Sequence, residues 1–169
     1  ETLRFLEEHV GKDEPILDIG AFASEIAISL HRLGYTKLSG VDLNERVTSM
    51  PHADLIDYRV SDFMHTLFPD ESFKAMTSIS VIEHGFDQTA LLRETARLLR
   101  RGGYFISSFD YWIDKIDTTG ITIFDMSWTI FSKQDVENFV AEAAEFGLTP
   151  VGELNFSCAE RPIDCMGRD

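Results

Sequence analysis

The sequence of 169 residues is poor in basic side chains. It carries 15 Lys and Arg against 29 Asp and Glu, which gives a formal net charge of −14 at pH 7. Nucleic acids and anionic membrane surfaces both bind proteins through basic surface. This charge balance therefore excludes them as expected partners and favours a small-molecule ligand or another protein.

Cysteine and long apolar runs are also scarce. The two cysteines, Cys158 and Cys165, are too few for a disulfide framework and lack the paired spacing that is typical of zinc sites. No apolar stretch approaches the ~18 residues that a membrane span requires, and no secretory signal opens the chain. We therefore expect a cytoplasmic location, reduced thiols and no bound metal. The first residue is Glu1 rather than Met, which is typical of a fragment of a longer protein.

Short apolar runs alternate with helical patterns along the chain. The apolar runs predict six strands: PILDIG (15–20), KLSGVDL (37–43), LIDYRV (55–60), AMTSISVI (75–82), YFISS (104–108) and VGELNFSC (151–158). Amphipathic spacing predicts helices over 2–10, 24–33 and 89–100, the last capped by Gly102 and Gly103, and a fourth from Ser132 to Gly147. This alternation predicts a single α/β domain over residues 1–169. We expect it to be Rossmann-like and doubly wound, with a mostly parallel sheet and helices on both faces.

Polar residues follow the first three predicted strands, at the point where each strand ends. Gly20 leaves backbone N–H groups at a helix N-terminus, where a carboxylate or phosphate can bind. Asp42 lies 22 residues after Gly20, close to the ~20-residue offset of an acid that binds a ribose diol. Asp62 can accept from an exocyclic amine, while Phe63 beside it packs against a base. Ligands of such sheets bind at the carboxyl ends of the strands, so these residues predict one ligand site.

Each of these residues also has a plainer interpretation. A strand-end Asp is often only a turn former or a helix cap, and a single glycine turn is a weak signal. Their shared order on one predicted fold is what favours a ligand site.

The sequence resembles the class I S-adenosylmethionine-dependent methyltransferases. The motifs ILDIG, VDLN and SDF match the first three cofactor segments of that family. The stretch FPDESFKAMTSISVIEHGFDQTALLRETARLLRRGGYFISS is similar to the family's central region. There, a strand that ends in a V(I/L)EH element precedes a Leu/Arg-rich helix and a double-glycine turn. The resemblance covers residues 15 to about 108.

The resemblance implies a role for each matching residue, with S-adenosyl-L-methionine as the cofactor. Asp18 and Gly20 belong to the first loop, near the methionine half of that molecule. Asp42 holds the ribose hydroxyls, and Ser80 lines the cofactor at the end of the fourth strand. The remaining two residues contact the adenine: Asp62 binds the adenine amine, and Phe63 packs against the adenine ring.

Two departures from the family pattern bear on activity. The first loop of the family runs acidic-x-Gly-x-Gly-x-Gly, whereas Phe22 and Ser24 stand here in place of the second and third glycines. We expect Phe22 to pack inward and the loop to bind, although a blocked methionine pocket is the alternative. The family sheet also ends in an antiparallel hairpin, of which only one strand is evident before Asp169, so we expect the C-terminal strand to be truncated.

The leading hypothesis is an enzyme that transfers a methyl group to a small-molecule acceptor. His84, just after the fourth strand, is the best-placed general base, and a structural histidine is the competing interpretation. Aromatic residues between 109 and 131 are candidates for the wall of an acceptor pocket, and this region is similar in general look to methyltransferases of sugar or polysaccharide pathways. The alternative is a non-catalytic binding or scaffolding domain that keeps the fold. A nicotinamide-dependent oxidoreductase would also use Asp42, but it requires a GxGxxG turn, which is absent.

Overall fold

The computed structural model of the chain describes residues 1–22 and 24–157. Within these residues, four helices and seven strands follow each other: α1 (Thr2–His9), β1 (Ile16–Ile19), α2 (Ile26–Arg32), β2 (Leu38–Asp42), β3 (Asp57–Val60), β4 (Phe73–Ile79), α3 (Gln88–Leu98), β5 (Leu99–Ser108), β6 (Thr122–Ile123), β7 (Met126–Ser127) and α4 (Lys133–Glu145). A short 3-10 helix, Glu45–Ser49, lies between β2 and β3. The chain forms two compact units. The first comprises Glu1–Ile82 and Phe86–Ser108, and the second comprises Glu83–Gly85 and the segment that begins at Phe109.

The first unit is built on a five-stranded sheet with the order β3-β2-β1-β4-β5. All four strand pairings are parallel. The central strand β1 has neighbours on both edges, and all four of its residues are buried. Both faces of a parallel sheet are covered, so Ile16, Leu17 and Ile19 are all buried although successive side chains point to opposite faces. The predicted Rossmann-like α/β fold is confirmed.

Helices α1 and α2 pack their apolar side chains into the core of the first unit. Leu6 of α1 and Leu30 of α2 are fully buried in one cluster with residues of β1, β2 and β4. Helix α3 begins after Asp87, whose side chain accepts a hydrogen bond from Ala90 N at 2.9 Å. The residues that it buries are Leu91, Leu92, Glu94, Thr95 and Leu98.

The second unit contains the β6–β7 hairpin and α4. Ser132 and Asp135 form a capping box at the start of α4, in which each side chain accepts from the backbone N–H of the other. Phe109 and Phe131 pack with ring centroids 4.5 Å apart. The sequence did not predict the hairpin, because strands of two residues are too short to show a period.

Two predictions of secondary structure are wrong, namely the end of α3 and the sixth strand. Gly102 and Gly103 do not cap α3, since the helix already ends at Leu98 and Leu99 is extended and pairs with Phe73 of β4. The predicted sixth strand is also absent from its described part, residues 151–157, which form turns and irregular backbone. Val151 is 69% exposed there, so this stretch buries little of the apolar surface that a strand packs against a sheet. Cys158, Cys165 and the expected truncated strand lie outside the described residues.

Neither a membrane span nor a metal cluster is found in the part of the chain that the structure describes. No helix there has the length and apolar character needed to cross a bilayer. The longest, α4, has 13 residues, whereas a spanning helix needs about 20. No group of His, Cys, Asp and Glu side chains within residues 1–22 and 24–157 has the arrangement of a metal site.

Candidate functional site

The parallel order of the sheet brings several predicted site residues to one edge. Strands β1, β2, β3 and β4 end at Ile19, Asp42, Val60 and Ile79. Because these strands are parallel, their carboxyl ends lie at the same edge. The structure therefore places the residues that end or follow these strands along this edge: Gly20, Asp42, Asp62, Phe63 and Ser80. We call this the carboxyl edge.

Asp42 joins two loops of the carboxyl edge. Its Oδ2 accepts a hydrogen bond from Phe22 N at 3.0 Å, and its Oδ1 accepts from Asn44 N at 2.7 Å. An ionised carboxylate offers about four acceptor positions, so two of them remain for a ligand. The side chain is half-buried and thus accessible. It can accept from two further hydroxyl groups at once.

Gly20 is required by close packing at the start of the first loop. It has φ +68°, a conformation that L side chains rarely adopt. A Cβ atom at this position would lie 2.4 Å from Val81 Cγ2. The loop thus passes too near the residues after β4 to carry a side chain here.

Phe22 and Ser24, the two departures in the first loop, fit the surrounding structure. Phe22 is half-buried and packs against the core cluster of the first unit, as the sequence predicts. Ser24 lies one residue before the N-cap position of α2, which is Glu25. Its hydroxyl accepts from Ile26 N at 3.2 Å and so satisfies one of the free N–H groups of the helix start.

An open cleft of about 330 Å³ lies at the carboxyl edge, between the first loop and the end of β4. This volume is at the lower end of the range for small-molecule pockets. Ser80 forms one side, with φ 53° and a backbone N–H that donates to Ser108 O at 3.0 Å. The full lining is Gly20, Phe22, Ser24, Glu25, Ile26, Ile79 and Ser80.

Asp18 is a carboxyl group buried in the middle of the sheet. It is 2% exposed, and its Oδ1 accepts from the hydroxyl of Thr77 at 2.7 Å. Its Oδ2 is buried with no hydrogen-bond partner among the described residues. Burial raises the pKa of Asp18 from 3.8 to about 6, against the lowering effects of the Thr77 hydrogen bond and of the nearby Ser24 hydroxyl.

This raised pKa predicts a pH-dependent stability. In the unfolded chain Asp18 ionises near pH 3.8, whereas in the folded state it holds its proton up to about pH 6. The folded state therefore loses stability as the pH rises through that window, and the loss is constant above it. The prediction concerns the difference in unfolding free energy between wild type and Asp18→Asn. Between the two pKa values, this difference should fall by roughly 3 kcal/mol. Urea denaturation at a series of pH values measures it.

Thr77→Val provides the control for this prediction. Without the Thr77 hydrogen bond the pKa of Asp18 rises further, so the upper end of the window should move to higher pH. A difference between wild type and Asp18→Asn that is flat with pH would contradict the assignment.

Asp62 and Phe63 lie in the segment between β3 and β4. The Oδ1 of Asp62 accepts from Met64 N at 2.8 Å, and its Oδ2 lies 3.2 Å from His65 Nδ1. These contacts form a local turn of the kind expected from a strand-end Asp. Both residues are half-buried, so each side chain has surface available for a ligand.

His84 and the aromatic residues of the 109–131 region belong to the second unit. The ring of His84 meets that of Phe124 edge to face at 5.6 Å. Its Nδ1 is buried with no hydrogen-bond partner in the described part of the chain. Trp128 is 7% exposed and donates from Nε1 to Asp110 Oδ2 at 2.9 Å, whereas Phe124 is 80% exposed. Trp128 is therefore part of the packing of this unit rather than an open wall.

The first loop and the strands around it are also recognisable by comparison with known proteins. Residues 17–107, more than half of the chain, match the family described as "Methyltransferase domain". The chain belongs to this methyltransferase domain family. The match begins in β1 and ends in β5, so it includes the whole carboxyl edge described above.

Two curated relatives and one solved structure are similar to this methyltransferase domain. A ubiquinone biosynthesis O-methyltransferase of Paramagnetospirillum magneticum is 29% identical over 62% of the chain and 47% of its own length. Methyltransferase GfsG of Streptomyces halstedii is 25% identical over 90% of the chain and 59% of its own length. The chain thus spans about half the length of these relatives. An S-adenosylmethionine-dependent methyltransferase from Mesorhizobium loti shares the fold, with 21% identity, a TM-score of 0.67, and coverage of 84% of this chain and 78% of its own.

The sequence did not indicate that Thr77 contacts Asp18, one of the predicted site residues. Thr77 is the register partner of Asp18 on β4, and its hydroxyl holds the Asp18 carboxyl. The available signal in the sequence was that Asp18 and Thr77 are polar residues within otherwise mostly apolar strands. The other missed residues, Glu25, Ile26 and Ile79, line the cleft without any motif that marks them.

Proposed function

We propose that this methyltransferase domain binds S-adenosyl-L-methionine at the carboxyl edge and transfers its methyl group to a small-molecule acceptor. The observation that carries the proposal is Asp42, a half-buried carboxylate that ties two loops of this edge together and keeps two acceptor positions. A ribose diol offers two hydroxyl donors, which matches that capacity. The membership of residues 17–107 in the family supports the same assignment.

The residues present fit the cofactor. Asp42 would accept from the ribose hydroxyls, and Gly20 lets the first loop pack against Val81 while its backbone borders the cleft. The buried carboxyl group of Asp18 lies in β1, two residues before Gly20, and would supply a negative charge suited to the amino group of the methionine half. We assign three further contacts from the family resemblance: Ser80 to the cleft wall, and Asp62 and Phe63 to the adenine.

The bound cofactor supplies an electrophilic methyl group on a sulfonium, which an acceptor displaces in line. The chain's own residues have to align the acceptor and exclude water from it. We propose that His84 takes the proton from a protonated acceptor, on the basis of its place in the VIEH element that resembles the family and of the ordinary proton-accepting role of histidine. The competing role for His84 is structural, through its edge contact with Phe124.

The acceptor is proposed to be a small organic molecule. The similar curated proteins include an enzyme of ubiquinone biosynthesis and an enzyme named for 27-O-demethylrifamycin SV, both of which act on small molecules. A sugar-related acceptor stays a prediction, as do the single domain over residues 1–169, the cytoplasmic location and the absence of a nucleic-acid partner. The net charge of −14 supports the last of these.

A methyl-transfer assay tests the proposed function. The chain is incubated with S-adenosyl-L-methionine and a panel of phenols, other alcohols and sugars, and the release of S-adenosylhomocysteine is measured. We expect release that depends on at least one acceptor and is reduced in His84→Gln. Binding of the cofactor without acceptor-dependent release across the panel would favour the non-catalytic domain instead.

Phe22 distinguishes an open cofactor site from a blocked one. Its ring packs against the core cluster but also contributes to the cleft. Because the packing holds the ring, we expect Phe22→Gly to leave S-adenosylhomocysteine affinity unchanged or several-fold weaker, and to lower the unfolding free energy by about 3 kcal/mol through lost burial. Calorimetry and urea denaturation measure the two effects.

A large gain in affinity would contradict the open site. If Phe22→Gly bound the ligand at micromolar concentration and wild type did not bind it, the native ring would be filling the methionine pocket. The scaffolding alternative would then be the better account.

A further inference from the structure

The segment of residues 61–70 carries the two proposed adenine contacts but no regular secondary structure. It runs between β3 and β4 as turns and irregular backbone. The local turn at Asp62 fixes residues 62–65 relative to each other through bonds to Met64 N and His65 N. These bonds do not attach the segment to the rest of the first unit. Its position must therefore come from contacts made elsewhere.

Ser61 N donates to Asp42 O at 2.9 Å, and Asp87 N donates to Met64 Sδ at 3.3 Å. An ion pair on α3 makes a further and denser set of contacts with the segment. Glu94 Oε1 accepts from Thr66 N at 2.8 Å and from the Thr66 hydroxyl at 2.7 Å. Arg97 bonds both oxygens of Glu94, with Nε to Oε2 at 2.8 Å and Nη2 to Oε1 at 2.7 Å. Arg97 Nη1 also donates to Phe68 O at 2.8 Å and to Asp70 Oδ1 at 2.6 Å. We call Thr66, Glu94 and Arg97 the clamp.

The clamp is a directional connection and not a surface ion pair. The Glu94 side chain is 9% exposed, and a buried carboxylate is tolerated only when its oxygens are bonded. Burial raises the pKa of Glu94, but the bonds from Arg97 and Thr66 outweigh it and hold the pKa below its usual value. The bidentate pairing and the bonds to Thr66 and Phe68 fix both distance and orientation between helix and segment.

We infer that Glu94 and Arg97 are positioning residues. They hold segment 61–70, which carries the two proposed adenine contacts, in a fixed position relative to helix α3. This inference rests on the proposed function, since it assumes that Asp62 and Phe63 meet adenine. Thr66 lies only four residues after Asp62, so a shift of the clamp is transmitted to the base contacts over a short length of chain. An interaction that only stabilised the fold would leave the choice of base unaffected.

The test compares two ligands that differ at the adenine amine. S-adenosylhomocysteine carries this amine, whereas S-inosylhomocysteine has a carbonyl oxygen there, which cannot donate to Asp62. We expect wild type to prefer the adenosyl ligand by about tenfold or more in calorimetry, as for a site that bonds a ligand N–H group. Glu94→Gln should reduce that preference severalfold, because it weakens the pairing with Arg97.

Two further variants make the comparison decisive. Thr66→Val removes the bond from the Thr66 hydroxyl to Glu94 and keeps the ion pair. It should also reduce the preference for the adenosyl ligand over the inosyl ligand. If Glu94→Gln does not fold, Thr66→Val alone tests whether the clamp positions the segment. Glu14→Gln is the matched control. It removes the same charge from the exposed pair with Arg100, 2.9 Å apart, and should keep the wild-type preference.

Each remaining outcome overturns the inference. Folded clamp variants that keep the full preference would show that the clamp only stabilises the fold. A wild type that binds both ligands equally would show that segment 61–70 does not read adenine, while cofactor binding itself would stand. A wild type that binds neither ligand would overturn the proposed function together with the inference.

Discussion

Asp42→Ala is expected to weaken S-adenosylhomocysteine binding by about 1.5–3 kcal/mol, the range for hydrogen bonds to a charged group. That is roughly ten- to over a hundredfold in dissociation constant by calorimetry. The variant should also unfold more easily, by about 1–2 kcal/mol, because the bonds from Phe22 N and Asn44 N lose their acceptor. The sequence alone predicts little change in stability, and the structure revises this.

Asp57→Ala is the matched control for Asp42→Ala. Asp57 is the first residue of β3, so it lies at the opposite edge of the same sheet, where it pairs with Arg59. Its removal should leave the ligand affinity unchanged. Equal affinities for wild type and Asp42→Ala would reject the ribose assignment.

Gly20→Ala is expected to reduce both stability and cofactor affinity. The new Cβ would lie 2.4 Å from Val81 Cγ2, and the residue would have to keep φ +68°. An alanine in the left-handed backbone conformation costs about 1 kcal/mol, and overpacking against Val81 adds about 1–3 kcal/mol. We therefore expect a loss of about 2–4 kcal/mol in unfolding free energy, together with weaker binding, because the loop must move away from β4.

Gly34→Ala separates the two contributions to that loss. Gly34 has φ +92° but no atom within 4 Å of its added Cβ, so it carries the backbone cost without the clash. It should lose about 1 kcal/mol and keep its ligand affinity. If both alanine variants lost the same stability, the close approach to Val81 would not be what requires glycine. The double variant Gly20→Ala/Val81→Ala should recover part of the loss.

The fold could be predicted because its signals are local and repeated. The apolar runs that end at Ile19, Asp42 and Val60 alternate with helical patterns, and that alternation is enough to specify a parallel sheet. Parallel strands have their carboxyl ends at the same edge of a sheet, so Gly20 and Asp42 could be predicted to lie at one edge without coordinates.

The parts that the sequence did not predict depend on contacts between distant residues. Gly102 and Gly103 look like a helix cap, but Leu99 pairs with Phe73 and the strand starts before them. The apolar residues of VGELNFSC suggest a strand, whereas the described part of that stretch has no strand partner. The hydrogen bond between Asp18 and Thr77 joins residues 59 positions apart, and no local pattern reports it.

The inward packing of Phe22 is an intermediate case. The sequence predicted it from the small neighbours in the loop, and the ring indeed packs against the core cluster. It also contributes to the cleft, which no pattern could have shown. Side-chain direction in an irregular loop depends on the elements packed around it, and these are distant in sequence.

A crystal structure of the chain with S-adenosylhomocysteine tests whether the carboxyl edge binds the cofactor. We expect one ligand at this edge, with both ribose hydroxyls within hydrogen-bond distance of Asp42 and the adenine against Asp62 and Phe63. Phe22 should keep its contacts with the core cluster, and Ser80 should border the bound ligand. A ligand bound away from this edge, or ribose hydroxyls held by residues other than Asp42, would contradict the account.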